Sequence, residues 1–175
     1  VIHSDDVQGG YMAARHLIGK GCKCMVHISG QQDLHLSADV RMTSFMKECE
    51  RQGVACKVYS ASEQMLWDME YMPLINRIFM ENPDMDGIFA SSDIIAAQCI
   101  QMAGTLGYRI PEDIKIVGYD DICLSRLLYP PLTTVHQDIK GLAKTAMDTV
   151  EELIEGKQVP ESQVVSVSFI ERKTT

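Results

Sequence analysis

The sequence is short of the features that announce most enzymes and membrane proteins. No apolar run approaches the roughly 20 residues a helical span needs. No basic start followed by an apolar stretch marks a secretory leader. There is no Walker loop and no Gly-x-Ser-x-Gly elbow, and the pair Gly9-Gly10 lacks the spacing of a dinucleotide-binding fingerprint. Cationic residues are few: 16 Lys and Arg face 24 Asp and Glu, for a formal charge of −8. Such a surface repels a phosphate backbone unless its cations cluster, and Arg15, Lys20 and Lys23 make only a thin cluster. Aromatics make up 6% of the chain, with Trp67 the one tryptophan. It lies in a poorly patterned stretch, where it either stacks on a sugar face or plugs the surface.

Six cysteines are present, at Cys22, Cys24, Cys49, Cys56, Cys99 and Cys123. Cys22 and Cys24 are one residue apart, which is not the spacing of a zinc knuckle. Scattered thiols in a chain with a real core point to a reducing compartment, hence the cytoplasm, with no metal site and no cofactor expected. The hydrophobic fraction, 46% of 175 residues, is enough to bury the core of one globular domain.

Val1-Ile2 reads as the tail of a strand, followed by a turn at 3–6 and a helix whose apolar positions include Met12, Ala13 and Leu17, closed by Gly19 and Gly21. A chain that opens this way is expected to be a fragment of something longer. Strand and helix then alternate. Strands are expected at 25–29, 55–59, 86–90 and 114–118. Helices are expected at 38–51, capped by Ser37, at 69–81, and at 93–106, where Asp93 reads as the N-cap. Strands apolar on both faces argue for a parallel sheet covered by helices on both sides. Tyr129-Pro130-Pro131 is a stiff crossing into a short strand at 133–135. Asp138 can cap a strongly amphipathic helix to Gly156, with Ile139, Leu142, Ala146, Val150, Leu153 and Ile154 on one stripe. A strand at 164–170 alternates apolar and polar, as an edge strand does.

In an open parallel sheet, ligands bind outside the carboxyl ends of the strands. The polar residues there are Gly30, Gln31, Gln32 and Asp33 after one strand, Ser91, Ser92 and Asp93 after another, and Tyr119, Asp120 and Asp121 after a third. Two adjacent acids after a buried strand are costly without partners. Arg41 lies near a helix N-terminus, against the macrodipole, so it needs a carboxylate partner or a ligand. The histidines at 16 and 27 sit within apparent elements and read as structural.

Several motifs together resemble one family. They are Gly-Gly-Tyr-Met-Ala-Ala-Arg-His-Leu-Ile at 9–18, Ala38-x-x-Arg41-x-x-x-Phe45, Ile88-Phe89-Ala90-Ser91-Ser92-Asp93 and Ile110-Pro111-Glu112-Asp113-Ile114. The strongest are Val117-Gly118-Tyr119-Asp120-Asp121-Ile122, Leu132-Thr133-Thr134-Val135-x-Gln137 and the tail Glu171-Arg172-Lys173-Thr174-Thr175. In this order they resemble the lactose-repressor (LacI/GalR) family of transcription regulators over nearly the whole chain.

The resemblance implies a periplasmic-binding-protein-like α/β fold and an effector held between two lobes. It also implies a homodimer and operator DNA contacted only through an N-terminal head absent from this chain. On that basis 1–136 is expected to form the C-terminal lobe. Residues 137–162 would form a crossover helix normally packed on the N-terminal lobe, and 163–175 a terminal strand and tail. Arg41, Asp120, Ser92 and Gln137 match effector-contacting positions. The stacking position falls nearer Met65 than Trp67. A carboxylate and a guanidinium read sugar hydroxyls by charge-assisted hydrogen bonds, and nothing is transformed, so no enzyme is expected. Two other readings stand beside it: a fragment of a periplasmic sugar-binding transport protein, and a Mg²⁺-dependent hydrolase built on Asp120 and Asp121.

Overall fold

The computed structural model describes residues 1–30 and 37–175. Gln31, Gln32 and Asp33 lie outside the described residues. The elements in order are β1 (Ile2–Ser4), α1 (Asp6–Gly19), β2 (Cys24–Ser29), α2 (Ser37–Arg51), β3 (Ala55–Ser60), α3 (Glu63–Asp68), α4 (Met72–Glu81), β4 (Gly87–Ala90), α5 (Asp93–Thr105), β5 (Lys115–Asp120), α6 (Cys123–Leu127), β6 (Thr133–Gln137), α7 (Ile139–Ile154), β7 (Gln163–Val165) and β8 (Val167–Ile170).

Six strands form one sheet in the order β3-β2-β4-β5-β6-β8, parallel from β3 to β6, with β8 antiparallel at the edge. Alternate residues of the central strands feed two cores, as the period of a strand requires. Val26, Ile28, Ile88 and Ile116 pack under α4 and α5 with Ile75, Ile78, Cys99 and Ala103. Met25, Phe89, Val117 and Tyr119 pack under α1 and α2 with Ala13, Leu17 and Phe45. His27 is fully buried against Phe45 and Phe89, and among the described residues neither ring nitrogen meets hydrogen-bond geometry with a partner. Its pKa is pushed down to about 3 by burial, so it is a neutral core ring.

Gly10 explains why α1 and α2 lie so close: a Cβ there would stand 2.0 Å from Ser44 Oγ and 2.4 Å from the Arg41 carbonyl oxygen. Gly9 opposes the Tyr119 ring in the same way, with Tyr119 Oη 2.5 Å from a Cβ. The Gly9-Gly10 pair is thus a close-approach device.

Four local expectations need correction. The helix expected at 69–81 begins only at Met72, as α4, and a separate helix, α3, ends before it at Asp68. Met69 is left-handed, with φ 50°, and Pro73, which has no N–H to donate, sits in the first turn of α4. Ser37 is already helical rather than a cap. Asp93 is not the cap of α5: Ser92 Oγ accepts from Ile95 N, and Asp93 occupies the first turn. The strand expected at 164–170 divides at Ser166 into β7 and β8. β7 pairs in parallel with β1 in a separate two-stranded sheet.

α7 starts where Asp138 accepts from Gly141 N at 2.9 Å. None of its residues is buried, and Ile154 is 81% exposed. The chain thus has a packed six-stranded lobe and a smaller group of β1, β7 and α7 beside it. Among the described residues no helix is long and apolar enough to cross a membrane, and all six cysteines are unpaired.

Candidate functional site

β3 and β4 flank β2, so the chain changes direction across the sheet between β2 and β4. A crevice opens at the carboxyl ends of strands at such a point. α2 carries Arg41 into this place, and the guanidinium is held from several sides. Its Nε donates to Asp6 Oδ1 at 2.7 Å, and one Nη donates to the Ser91 carbonyl at 2.9 Å. Its carbon lies 3.7 Å from the centre of the Tyr119 ring. The same Nη is 3.9 Å from Asp120 Oδ1, an ion pair but too long for a hydrogen bond. Gln137 Nε2 donates to Asp120 Oδ1 at 2.7 Å, and Gln137 Oε1 in turn accepts from Ser4 Oγ at 2.7 Å.

The structure therefore brings together three of the six expected residues: Arg41, Asp120 and Gln137. Ser92 is adjacent, capping α5 beside Ser91. Met65 packs against the larger core, and Trp67 is 78% exposed on α3. Neither makes a hydrogen bond or ring contact with the Arg41 group among the described residues.

Asp120 ends β5 with φ 109°, and Asp121 follows with φ 55°. Two successive non-glycine residues at positive φ are strained, and such backbone persists where surrounding contacts hold it. Asp121 supplies those contacts. Its Oδ1 accepts from Arg172 Nη2 at 2.6 Å and from Ser125 Oγ at 3.0 Å, and its Oδ2 lies 3.0 Å from His136 Nδ1. Burial would raise the Asp121 pKa, but Arg172, Ser125 and His136 together hold it below its ordinary value. Asp120 goes the other way: burial raises it, against the opposing pull of Arg41 and Gln137. Asp93 forms the floor, accepting from Ile122 N at 2.9 Å and from Thr134 Oγ1 at 2.6 Å. Burial pushes its carboxyl up to about 6, against those two hydrogen bonds.

Of this cluster, Asp6 is not among the sequence candidates, and Tyr119 is named there only as one of the polar residues after its strand. Asp6 reads in sequence as the last residue of a turn at 3–6, yet it opens α1, is buried and accepts from both Arg41 and Tyr119 Oη, the latter at 2.9 Å. Tyr119 reads as part of a turn, yet it backs the guanidinium. The buried arginine, which needs a carboxylate partner, was the available signal for Asp6. The two aspartates offered for Mg²⁺ are drawn to different partners, Asp120 to Gln137 and Arg41, Asp121 to Arg172. Among the described residues no three His, Cys, Asp or Glu side chains gather so as to hold a metal ion. Hollows elsewhere, one at the start of β2 and β3 and one between α1 and α2, do not include Arg41 or Asp120.

A carboxylate, a guanidinium and a carboxamide gathered at strand ends have the form of a ligand-binding lobe of the periplasmic-binding-protein type. The chain belongs to the periplasmic binding protein-like domain family, whose description matches residues 14–175. Its relatives are LacI-family repressors. It is 34% identical to the ribose operon repressor of Halalkalibacterium halodurans over 100% of this chain and 52% of that protein. It is 31% identical to the transcriptional repressor PurR of Pasteurella multocida, over 90% of this chain and 47% of that one. A periplasmic binding protein/LacI transcriptional regulator from Alkaliphilus metalliredigens, solved with D-xylulofuranose, superposes with a TM-score of 0.82 at 30% identity, over 99% of this chain and 65% of that chain. A dimeric Lac repressor superposes at 0.88 with 26% identity, over 99% and 63%. The chain spans about half the length of the curated relatives it matches. Those relatives are repressors rather than enzymes, and they do not favour a transport protein or a hydrolase.

Proposed function

We propose that this chain is part of the effector-sensing core of a cytoplasmic LacI-family transcription regulator. It binds a sugar or similar small polar effector on the face formed by Arg41, Asp120 and Gln137, with Ser92 at its edge and Met65 or Trp67 as the stacking group. Binding controls operator occupancy through a DNA-binding head outside this chain. The C-terminal lobe is the stretch expected at 1–136 less β1, which sits with β7 and α7, and with β8 added as its edge strand; the α7 segment crosses to a second lobe that supplies the opposite wall. The exposed stripe of α7 supports that crossing, since an amphipathic helix needs a partner for its apolar face. Leu127 and Tyr129, at 75% and 95% exposed, are apolar groups that a second copy of the protein would cover.

The observation that carries the reading is the convergence of Arg41, Asp120 and Gln137 at the strand ends. Sugar hydroxyls both donate and accept, and these groups offer both functions in fixed geometry. Signalling then needs only different affinity for open and closed arrangements of the lobes. A thermal-shift screen of sugars on the intact protein tests it. The account expects one or a few related sugars to raise the melting temperature and to change operator affinity. A sugar that stabilises the protein without altering operator binding would contradict the regulatory part.

A further inference from the structure

Arg41 is already neutralised inside the lobe. Asp6 holds Nε at 2.7 Å, the Ser91 carbonyl holds an Nη, and Tyr119 covers one face of the guanidinium. Asp6 is itself buried, so its charge is screened little by water. What remains for a ligand is Nη2, for which no hydrogen bond is found among the described residues, with Asp120 3.9 Å from the neighbouring Nη1. The two carboxylates outnumber the one guanidinium. Asp121, the next acid, is paired with Arg172, so that cation is not free to neutralise the face. The cluster Asp6, Arg41 and Asp120 therefore presents one net negative charge, carried by Asp120.

We propose that Asp6 sets the charge selectivity of this site: it takes the effector as a neutral or amine-bearing polyhydroxyl compound and rejects its phosphorylated or carboxylated forms. The inference rests on the effector-site reading above. An acid group on the ligand would have to share a guanidinium already held by a carboxylate, at a distance where Asp120 repels it. A hydroxyl or ammonium group meets no such conflict. It donates to Asp120 and, if a hydroxyl, accepts from Nη2.

The test is isothermal titration of the intact protein with D-ribose, D-glucose and sucrose, the phosphate esters of the two monosaccharides, D-glucuronate and D-glucosamine. Wild type and Asp6→Asn are compared. The Asn side chain keeps the size of Asp and one oxygen to accept from Arg41. Wild type is expected to bind a neutral or amine form at least about tenfold more tightly than its acidic counterpart. Asp6→Asn is expected to narrow that ratio by about tenfold; because the ratio is taken within each protein, a loss of affinity shared by neutral and acidic forms cancels. Equal or tighter binding of an acidic form by wild type would overturn the charge inference and leave the effector site standing. An unchanged ratio in Asp6→Asn would overturn the role of Asp6. Binding of none of the set by wild type would take down the effector reading, and this inference with it.

Discussion

Replacing Asp93 by Asn removes a charge from the floor of the site while keeping its shape. The carboxyl lies at about 6 against an ordinary 3.8, a gap that corresponds to about 3 kcal/mol. Because the folded value is raised, the stabilising contribution is fully present below the ordinary value and is lost as pH rises through about 6. At neutral pH the ionised group therefore costs the fold something approaching that amount. An Asn at this position can accept from Ile122 N through its oxygen and donate to Thr134 Oγ1 through its nitrogen. The Thr134 hydroxyl must turn, at a cost of about 1 kcal/mol. Asp93→Asn is expected to be more stable than wild type by about 1–2 kcal/mol near neutrality, with the advantage gone by about pH 4. Urea denaturation of the intact protein across that range measures it. His27 works in the opposite sense over an overlapping window: its folded pKa is lowered to about 3, so its contribution is lost as pH falls. It is present in both proteins and cancels in the difference. A difference between the two proteins that does not vary with pH would refute the reasoning, as would a variant less stable than wild type by more than about 1 kcal/mol near neutrality.

Arg41→Ala should destabilise by about 3–5 kcal/mol, because it strands the buried Asp6 carboxylate; pairing it with Asp6→Ala should recover much of the loss in the melting temperature, and no recovery would show that the pair is not coupled. Gly10→Ala should cost at least about 2 kcal/mol and weaken effector binding together, since a Cβ there pushes α2 and its arginine away; normal stability and affinity would show that the helices separate without consequence. Arg172→Ala should lower the melting temperature and flatten the loss of stability in acid, since the stability that Asp121 contributes is lost as pH falls below its ordinary 3.8; an acid limb as steep as that of wild type would remove Arg172 from that role.

Much of the architecture is readable in the residues because the two periods differ. Val26, Ile28, Ile88 and Ile116 alternate with Met25, Phe89 and Val117, and that pattern alone calls for a sheet covered on both faces. The amphipathic stripe of α7 is equally plain. Less plain are features decided by a distant partner. The break between α3 and α4 depends on Pro73 and on Met69 adopting a conformation its side chain does not advertise. Ser166 looks like one more polar step of a strand, yet β7 there pairs with β1, more than 150 residues away. In the site, Arg41 stood out because a cation near a helix start needs an anion, and Asp120 because paired acids at a strand end need partners. Asp6 did not stand out, since an acid in a turn that leads into a helix already has a local reason to be there. Asp93 was assigned a cap for the same local reason, whereas its bonds run to Ile122 and Thr134.

The central claim is that a carboxylate at the end of β5, set beside a guanidinium, clasps a polyhydroxyl effector. Titration calorimetry on the intact protein, with whichever sugar stabilises it most, tests this through Asp120→Asn, a replacement that tolerates the positive φ of this position. The account predicts affinity lower by about tenfold or more, with a melting temperature within a few degrees of wild type. Unchanged affinity would place the effector elsewhere.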